Sequence, residues 1–196
     1  MIRLALLRHG HTHWNRAGRI QGRSDIPLDD GARADLSGFS LPAPWDQADL
    51  WSSPLKRAVE TAQIVANHDP KTAPELTEMF WGEWEGKHGL DLKADQNSGF
   101  RDIEDWGWDF QPPGGETPAQ VWARIEPWVN ALQHDTVAVC HIGIMRMILA
   151  RAYGWGFDGP APFRIKRNRL FVVEIDGDTL TPIADPVRLT KRANAV

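Results

Sequence analysis

Cysteine is almost missing from this 196-residue chain, which has Cys140 alone. A single cysteine excludes a disulfide framework within the chain and suits a reducing compartment, so a cytoplasmic location is expected. Long hydrophobic runs are missing too. No stretch reaches the ~18 apolar residues that a membrane span needs. The opening MIRLALLRHG is interrupted by Arg3 and Arg8 and has no small-residue cleavage site, so it does not read as a secretory leader. Nor is there an excess of positive charge: 22 Lys and Arg stand against 26 Asp and Glu, a formal net charge of -4. Bulk charge therefore favours neither nucleic acid nor a membrane surface as partner, and any arginine cluster would be local. Internal repeats and low-complexity tracts are lacking. Tyrosine is reduced to Tyr153 against ten Trp, a bias that composition leaves unexplained. What remains, 42% hydrophobic and 24% charged, is ordinary for a globular protein, and one domain over residues 1–196 is expected.

IRLALL (2–7) is a short apolar run ending in a polar-glycine turn and reads as a buried strand. PLDDGARADLSG (27–38) opens like a short helix, and ADLWSS (48–53) reads as a second strand. In SPLKRAVETAQIVANH (53–68), Pro54 takes a first-turn position, and Leu55, Val59, Ala62 and Ala66 recur at helical spacing. PELTEMFWGEWEG (74–86) leads into an irregular, tryptophan-rich region. TPAQVWARIEPWVNALQ (117–133) is a helix with a threonine cap and a blemish at Pro127. TVAVC (136–140) reads as a strand, and IGIMRMILARAYG (142–154) as a helix closed by Gly154. RLFVVEI (169–175) and TLTPIA (179–184) form a hairpin around DGD. The tail from about 190 to 196 is expected to fray. Strands alternating with helices imply an α/β/α sandwich with a mainly parallel sheet. In such folds ligands gather beyond the C-terminal ends of the strands. RHG, SSPLKR and CHIG all follow strands, so these segments should converge.

LLRHGHTHWN sets His9, His11 and His13 on alternate positions. A strand ending in His-x-His resembles the opening of metal-dependent amidohydrolases. Those are barrels of about 250 residues, and Arg8 beside His9 is a poor neighbour for a cation. No metal is therefore expected. The other reading is an anion site. Arg8 and Arg57 can grip phosphate oxygens in bidentate fashion. Asn15 and Gln21 add neutral donors, and the backbone near Gly22 adds more. A neutral imidazole can attack phosphorus, a second imidazolium can neutralise the transition state, and a carboxylic acid can protonate the leaving alcohol.

LLRHGHTHWNRAGRIQGRSDIPL resembles the signature of the histidine phosphatase superfamily, in its phosphoglycerate-mutase-like branch. SSPLKRAVETA, LTEMFWGEWEG, PPGGET and CHIGIMR continue the resemblance in the family's order, over about residues 2 to 150. RHG alone is a weak pattern, whereas five ordered blocks are specific. The resemblance implies a three-layer α/β/α fold and a phosphohistidine mechanism without cofactor. It casts His9 as nucleophile, Arg8 and Arg57 as phosphate ligands, Asn15 and Gln21 as lining of the phosphate pocket, His141 as the second core histidine, and Glu78 as general acid.

Plainer readings compete at several positions. Glu83 and Glu85 lie near Glu78 and read as flanking, solvated or supporting groups. Cys140, adjacent to His141, points to the opposite face of its strand and reads as a small buried apolar residue. His134 reads as a helix C-terminal cap, and His13, His68 and His88 as surface. His11 departs from the family's usual Glu or Gln; it either alters the field around His9 or faces solvent. The short interval from Glu78 to Gly115 suggests an open site that admits water, hence a phosphatase acting on a small phosphomonoester. The alternatives are mutase-type transfer or a silent phospho-ligand binder. A lid over 91–113, with Trp106 and Trp108, is expected to shape leaving-group choice.

Overall fold

Residues 1–193 are described in a computed structural model of the chain. In order they form β1 (Ile2–Arg8), α1 (His13–Arg16), α2 (Asp30–Ser37), β2 (Phe39–Ser40), β3 (Asp49–Ser52), α3 (Lys56–Ala66), β4 (Lys71–Thr72), α4 (Gly89–Ala94), α5 (Pro118–Asn130), β5 (Thr136–Cys140), α6 (Ile142–Tyr153), β6 (Arg169–Asp176), β7 (Thr179–Pro182), β8 (Val187–Arg188) and β9 (Thr190–Lys191). The main sheet runs β4-β3-β5-β1-β6-β7, with β8 also on β6. β4, β3, β5 and β1 are parallel, and β6 returns antiparallel beside β1. Successive strand residues face opposite sides. Leu4, Leu6, Ala138 and Cys140 therefore pack with Val121 and Ile125 of α5 and Ile144 and Ile148 of α6. Ala5, Leu7, Val137 and Val139 pack with Leu36 of α2 and Ala58, Ala62 and Val65 of α3 on the other side. The expected three-layer α/β/α sandwich results.

Local chemistry sets the helix ends. Asp29 caps α2 by accepting from Ala32 N at 2.8 Å. Thr117 and Gln120 form a reciprocal capping box at the start of α5. Gly154 closes α6 with φ of 67°. Pro54 lies before α3 rather than in its first turn. Ser53 Oγ accepts the Leu55 N–H at 3.3 Å, a local turn that delays the helix to Lys56. His134 does not cap α5; it is exposed beyond Asn130, and Ala131 N closes the helix by donating to Pro127 O at 3.1 Å.

The expected fraying from residue 190 is also corrected. Thr190–Lys191 pairs with Phe39–Ser40. Arg192 donates from its backbone to Gly38 O at 2.8 Å, and its guanidinium reaches Ser37 O at 3.1 Å and Ile64 O at 2.8 Å. These bonds satisfy carbonyls at the ends of α2 and α3, which helix geometry leaves free. Residues 194–196 of the tail lie outside the described residues. No helix among the described residues is long and apolar enough to cross a membrane.

Candidate active site

The ends of β1 and β5 bring the two central histidines together. Arg8 lies opposite Cys140 in the parallel register, and His9 N donates to Cys140 O at 3.0 Å. His9 and His141 follow side by side, with ring centroids 5.1 Å apart. Ser53, just past β3, donates its N–H to Val139 O at 3.0 Å. The three strand-end segments thus converge.

His9 is buried, and its Nδ1 lies 2.6 Å from Gly10 O. A carbonyl can only accept, so Nδ1 carries the proton and Nε2 keeps its lone pair. Burial, then Arg57, Arg8 and Arg167, push the His9 pKa well below the usual imidazole value. The ring stays neutral into acid solution.

Donors surround it. Gln21 Oε1 accepts from Thr12 Oγ1 at 3.0 Å and from Asn15 Nδ2 at 3.1 Å. That fixes the amide so that Nε2 is left as a buried donor without a partner among the described residues. Arg8 Nε is in the same position. Burial and the neighbouring Arg167 bring the Arg8 guanidinium down to about 9, so it is still charged at neutral pH. Asn15 is an orienting hub as well as a wall. Its Oδ1 accepts from Thr12 N at 3.2 Å and from Arg167 Nη2 at 3.1 Å.

Glu78 is buried; its Oε1 accepts from Met79 N at 2.8 Å and its Oε2 from Gly143 N at 3.1 Å, at the start of α6. Burial outweighs those bonds and raises its pKa above the usual carboxyl value. The backbone carrying it is clamped. Arg124 donates to the carbonyls of Glu75 at 2.5 Å and Thr77 at 2.7 Å, and Glu116 accepts from Phe80 N at 2.8 Å. Gly115 must be glycine, since a Cβ there would lie 2.6 Å from Phe80 O.

Arg57 sits beneath the cleft rather than on its surface. Its guanidinium donates to Ser24 O at 2.8 Å, to Gly22 O at 2.6 Å and to His141 Nδ1 at 3.3 Å. His141 Nδ1 is therefore an acceptor, and Nε2–H donates to Ser53 Oγ at 2.7 Å. Burial and Arg57 lower the His141 pKa and favour the neutral ring, in keeping with Nδ1 accepting from Arg57. Gly22 contributes its carbonyl and its lack of a side chain; a Cβ would fall 2.9 Å from Met79 O. Glu85 braces this loop by accepting Ser24 N at 2.5 Å, whereas Glu83 is exposed.

Arg8, His9, Asn15, Gln21 and Glu78 border one cavity of about 210 Å3, together with Arg19, Ile20, Trp81, Phe100 and Ile142. Trp106 and Trp108 do not line it, which corrects their expected role. Trp106 is buried against Trp81, Trp84 and Phe110, and Trp108 packs on Phe157. Gly10 faces the core: a Cβ there would come within 2.8 Å of Leu36 Cδ1. Cys140 is buried, its pKa raised by that burial. His11 is half-buried, and burial with Arg167, Arg16 and Arg8 lowers its pKa. His13 and His68 are exposed, and His88 is half-buried. Arg167, which donates from Nε to His9 O at 3.1 Å, has no counterpart in the sequence reading. It lies in an irregular segment without periodicity, and adjacent basic residues offer no signal to single it out.

Fold and cleft together define an α/β/α protein with paired neutral imidazoles, an arginine-rich wall and a buried carboxyl at the strand ends. The sequence model of the histidine phosphatase superfamily (branch 1) matches residues 4–183, and the chain belongs to that family. It is 30% identical over 164 residues to the adenosylcobalamin/alpha-ribazole phosphatase of Salmonella typhimurium, covering 76% of this chain and 79% of that protein. An acid phosphatase of Mycobacterium tuberculosis is 31% identical over 76% of this chain and 74% of its own. The crystal structure of a phosphoglycerate mutase from Thermus thermophilus superposes with a TM-score of 0.72 at 29% identity, over 97% of this chain and 100% of that one.

Proposed function

We propose that the protein is a metal-independent phosphomonoesterase that hydrolyses a small phosphate ester through a phosphohistidine on His9. One observation carries this reading: the unpartnered Arg8 Nε and Gln21 Nε2 border the same small cavity as His9 and the buried carboxyl of Glu78. Buried donors without acceptors are costly unless a ligand completes them, and these two suit phosphoryl oxygens. His9 Nε2 attacks phosphorus while Arg8 holds the equatorial oxygens. Arg57 acts through the Gly22–Ser24 loop and His141. Glu78, protonated because it is buried, gives its proton to the departing alcohol. The resulting carboxylate then takes a proton from water as water attacks the phosphohistidine. Phosphate leaves, and His9 and Glu78 return to their starting states.

The leaving-group side is walled by Ile20, Trp81, Phe100 and Ile142, with Arg19 as the added cation. A compact alcohol with an apolar face fits these walls. Two of the named relatives are called an adenosylcobalamin/alpha-ribazole phosphatase and an acid phosphatase, which supports the reaction class and leaves the alcohol to the cleft. Rapid quenching with radiolabelled aryl phosphate tests the proposal. An acid-labile, alkali-stable label on the His9 peptide is expected, lost together with turnover in His9→Ala. A label on His11, His13 or His141, or substantial turnover by His9→Ala, would overturn it.

A further inference from the structure

A second cavity, of about 390 Å3, opens where the β2–β9 pair and β8 meet the segment leading into β6. Its walls include Arg167, Arg169, Arg188 and Lys191, closed by Phe39 and Asn168, and no acidic side chain lines it among the described residues. This is a local reversal in a chain of net charge -4. Several other arginines pair with carboxylates: Arg16 with Asp29, Arg23 with Glu116, and Arg33 with Asp30 and Glu60. Arg167, Arg169, Arg188 and Lys191 have no such carboxylate among the described residues. Arg169 and Arg188 are also register partners in the antiparallel β6–β8 pair. Like charges directly opposite on neighbouring strands repel, and a bound anion removes that penalty.

We infer that this cavity binds a compact polyanion, bearing phosphate or carboxylate groups, and that Arg167 couples its occupancy to the His9 site. Arg167 belongs to both places. It lines the cavity, donates from Nε to His9 O and donates from Nη2 to Asn15 Oδ1. Asn15 in turn orients Gln21. An anion that draws Arg167 toward Arg169 and Arg188 loosens its hold on His9 and Asn15 and reduces the positive field at Arg8. Binding energy that differs between the two Arg167 arrangements is what couples the sites. The filled cavity therefore weakens phosphate-ester binding.

Citrate and pyrophosphate, each titrated by calorimetry into protein saturated with orthovanadate, test the site with the His9 cleft occupied. One polyanion per chain is expected, and whichever binds more tightly assigns carboxylate or phosphate as the preferred charge. Arg188→Gln/Lys191→Gln removes two exposed cations away from the His9 set and should weaken binding by about tenfold, with turnover in the absence of polyanion unchanged. In kinetics, citrate should raise KM for an aryl phosphate several-fold more in the wild type than in the double variant. Absence of saturable binding of both anions, equal binding by the double variant, or equal KM shifts in both proteins would overturn the inference. Calorimetry reads the cavity without turnover, so an inactive protein whose citrate binding depends on Arg188 and Lys191 would sink the proposed hydrolysis and leave this site standing.

Discussion

Gly143→Ala tests the placement of the Glu78 carboxyl without replacing that residue. Gly143 is the second residue of α6, and its N–H donates to Glu78 Oε2 at 3.1 Å. A Cβ at this position would overlap Glu78 Oε1, and would lie 3.1 Å from Glu78 Cδ and 3.3 Å from Met79 Cβ. Because Met79 is also buried, the side chain with least resistance to moving is Glu78. Overpacking of this kind costs about 1–3 kcal/mol, which in a chain of this size lowers Tm by roughly 2–12 °C. The displaced carboxyl should lose its line to the leaving oxygen. General acid catalysis contributes about 100- to 10,000-fold, so kcat for an alkyl phosphate should fall by at least about 100-fold. An aryl phosphate with a good leaving group needs little protonation and should lose less than about tenfold. Adding Glu78→Asp, one methylene shorter, should relieve the overlap and restore much of the Tm without restoring alkyl phosphate turnover. Steady-state kinetics on both substrates and thermal melts of the three variants complete the cycle. Alkyl phosphate turnover within threefold of wild type in Gly143→Ala would refute the assignment of acid catalysis to Glu78.

The pH profile of kcat/KM should separate the two groups. His9, its pKa depressed by burial and arginines, must be neutral, so the rate falls as pH drops through that lowered value. Glu78, its pKa raised by burial, must be protonated, so the rate falls as pH rises through that raised value; an alkaline limb equally steep for aryl and alkyl phosphates would count against this. Arg57→Lys should cut kcat/KM by about 100-fold, because lysine cannot hold Gly22 O, Ser24 O and His141 Nδ1 at once; near-normal activity would mean that the loop needs no fork. Gly10→Ala should lower stability by about 1–3 kcal/mol in urea titrations through its collision with Leu36, and an unchanged midpoint would refute the close packing of Gly10 on Leu36.

Strongly patterned elements were legible in the sequence. The apolar run of β1, the helical spacing of α3 and the Thr117 cap of α5 lie where they were expected. So was the meeting of RHG, SSPLKR and CHIG, since strand ends in a parallel sheet share an edge. Orientation below the level of the backbone was less visible. Spacing brings Arg57 to the site, but does not reveal that its donors turn toward carbonyls of the 22–24 loop. Trp106 and Trp108 share a loop with residues that approach the cleft, and only packing decides that Phe100 and Trp81 reach it instead. Two-residue strands such as β9 are too short to carry a period, which is why the tail was expected to fray.

The distance between the two imidazoles is inherited from the sheet. Neighbouring strands lie ~4.7–4.9 Å apart, and the His9 and His141 rings are 5.1 Å apart, one step beyond a paired β1 and β5. The hydrogen-bond ladder thus serves as a ruler for the imidazole pair, independent of the loops that cover it. Under the proposed phosphatase reading, substitutions within 91–113, which carries Phe100 into the cleft wall, should alter which alcohol is accepted while the spacing of the two imidazoles is preserved.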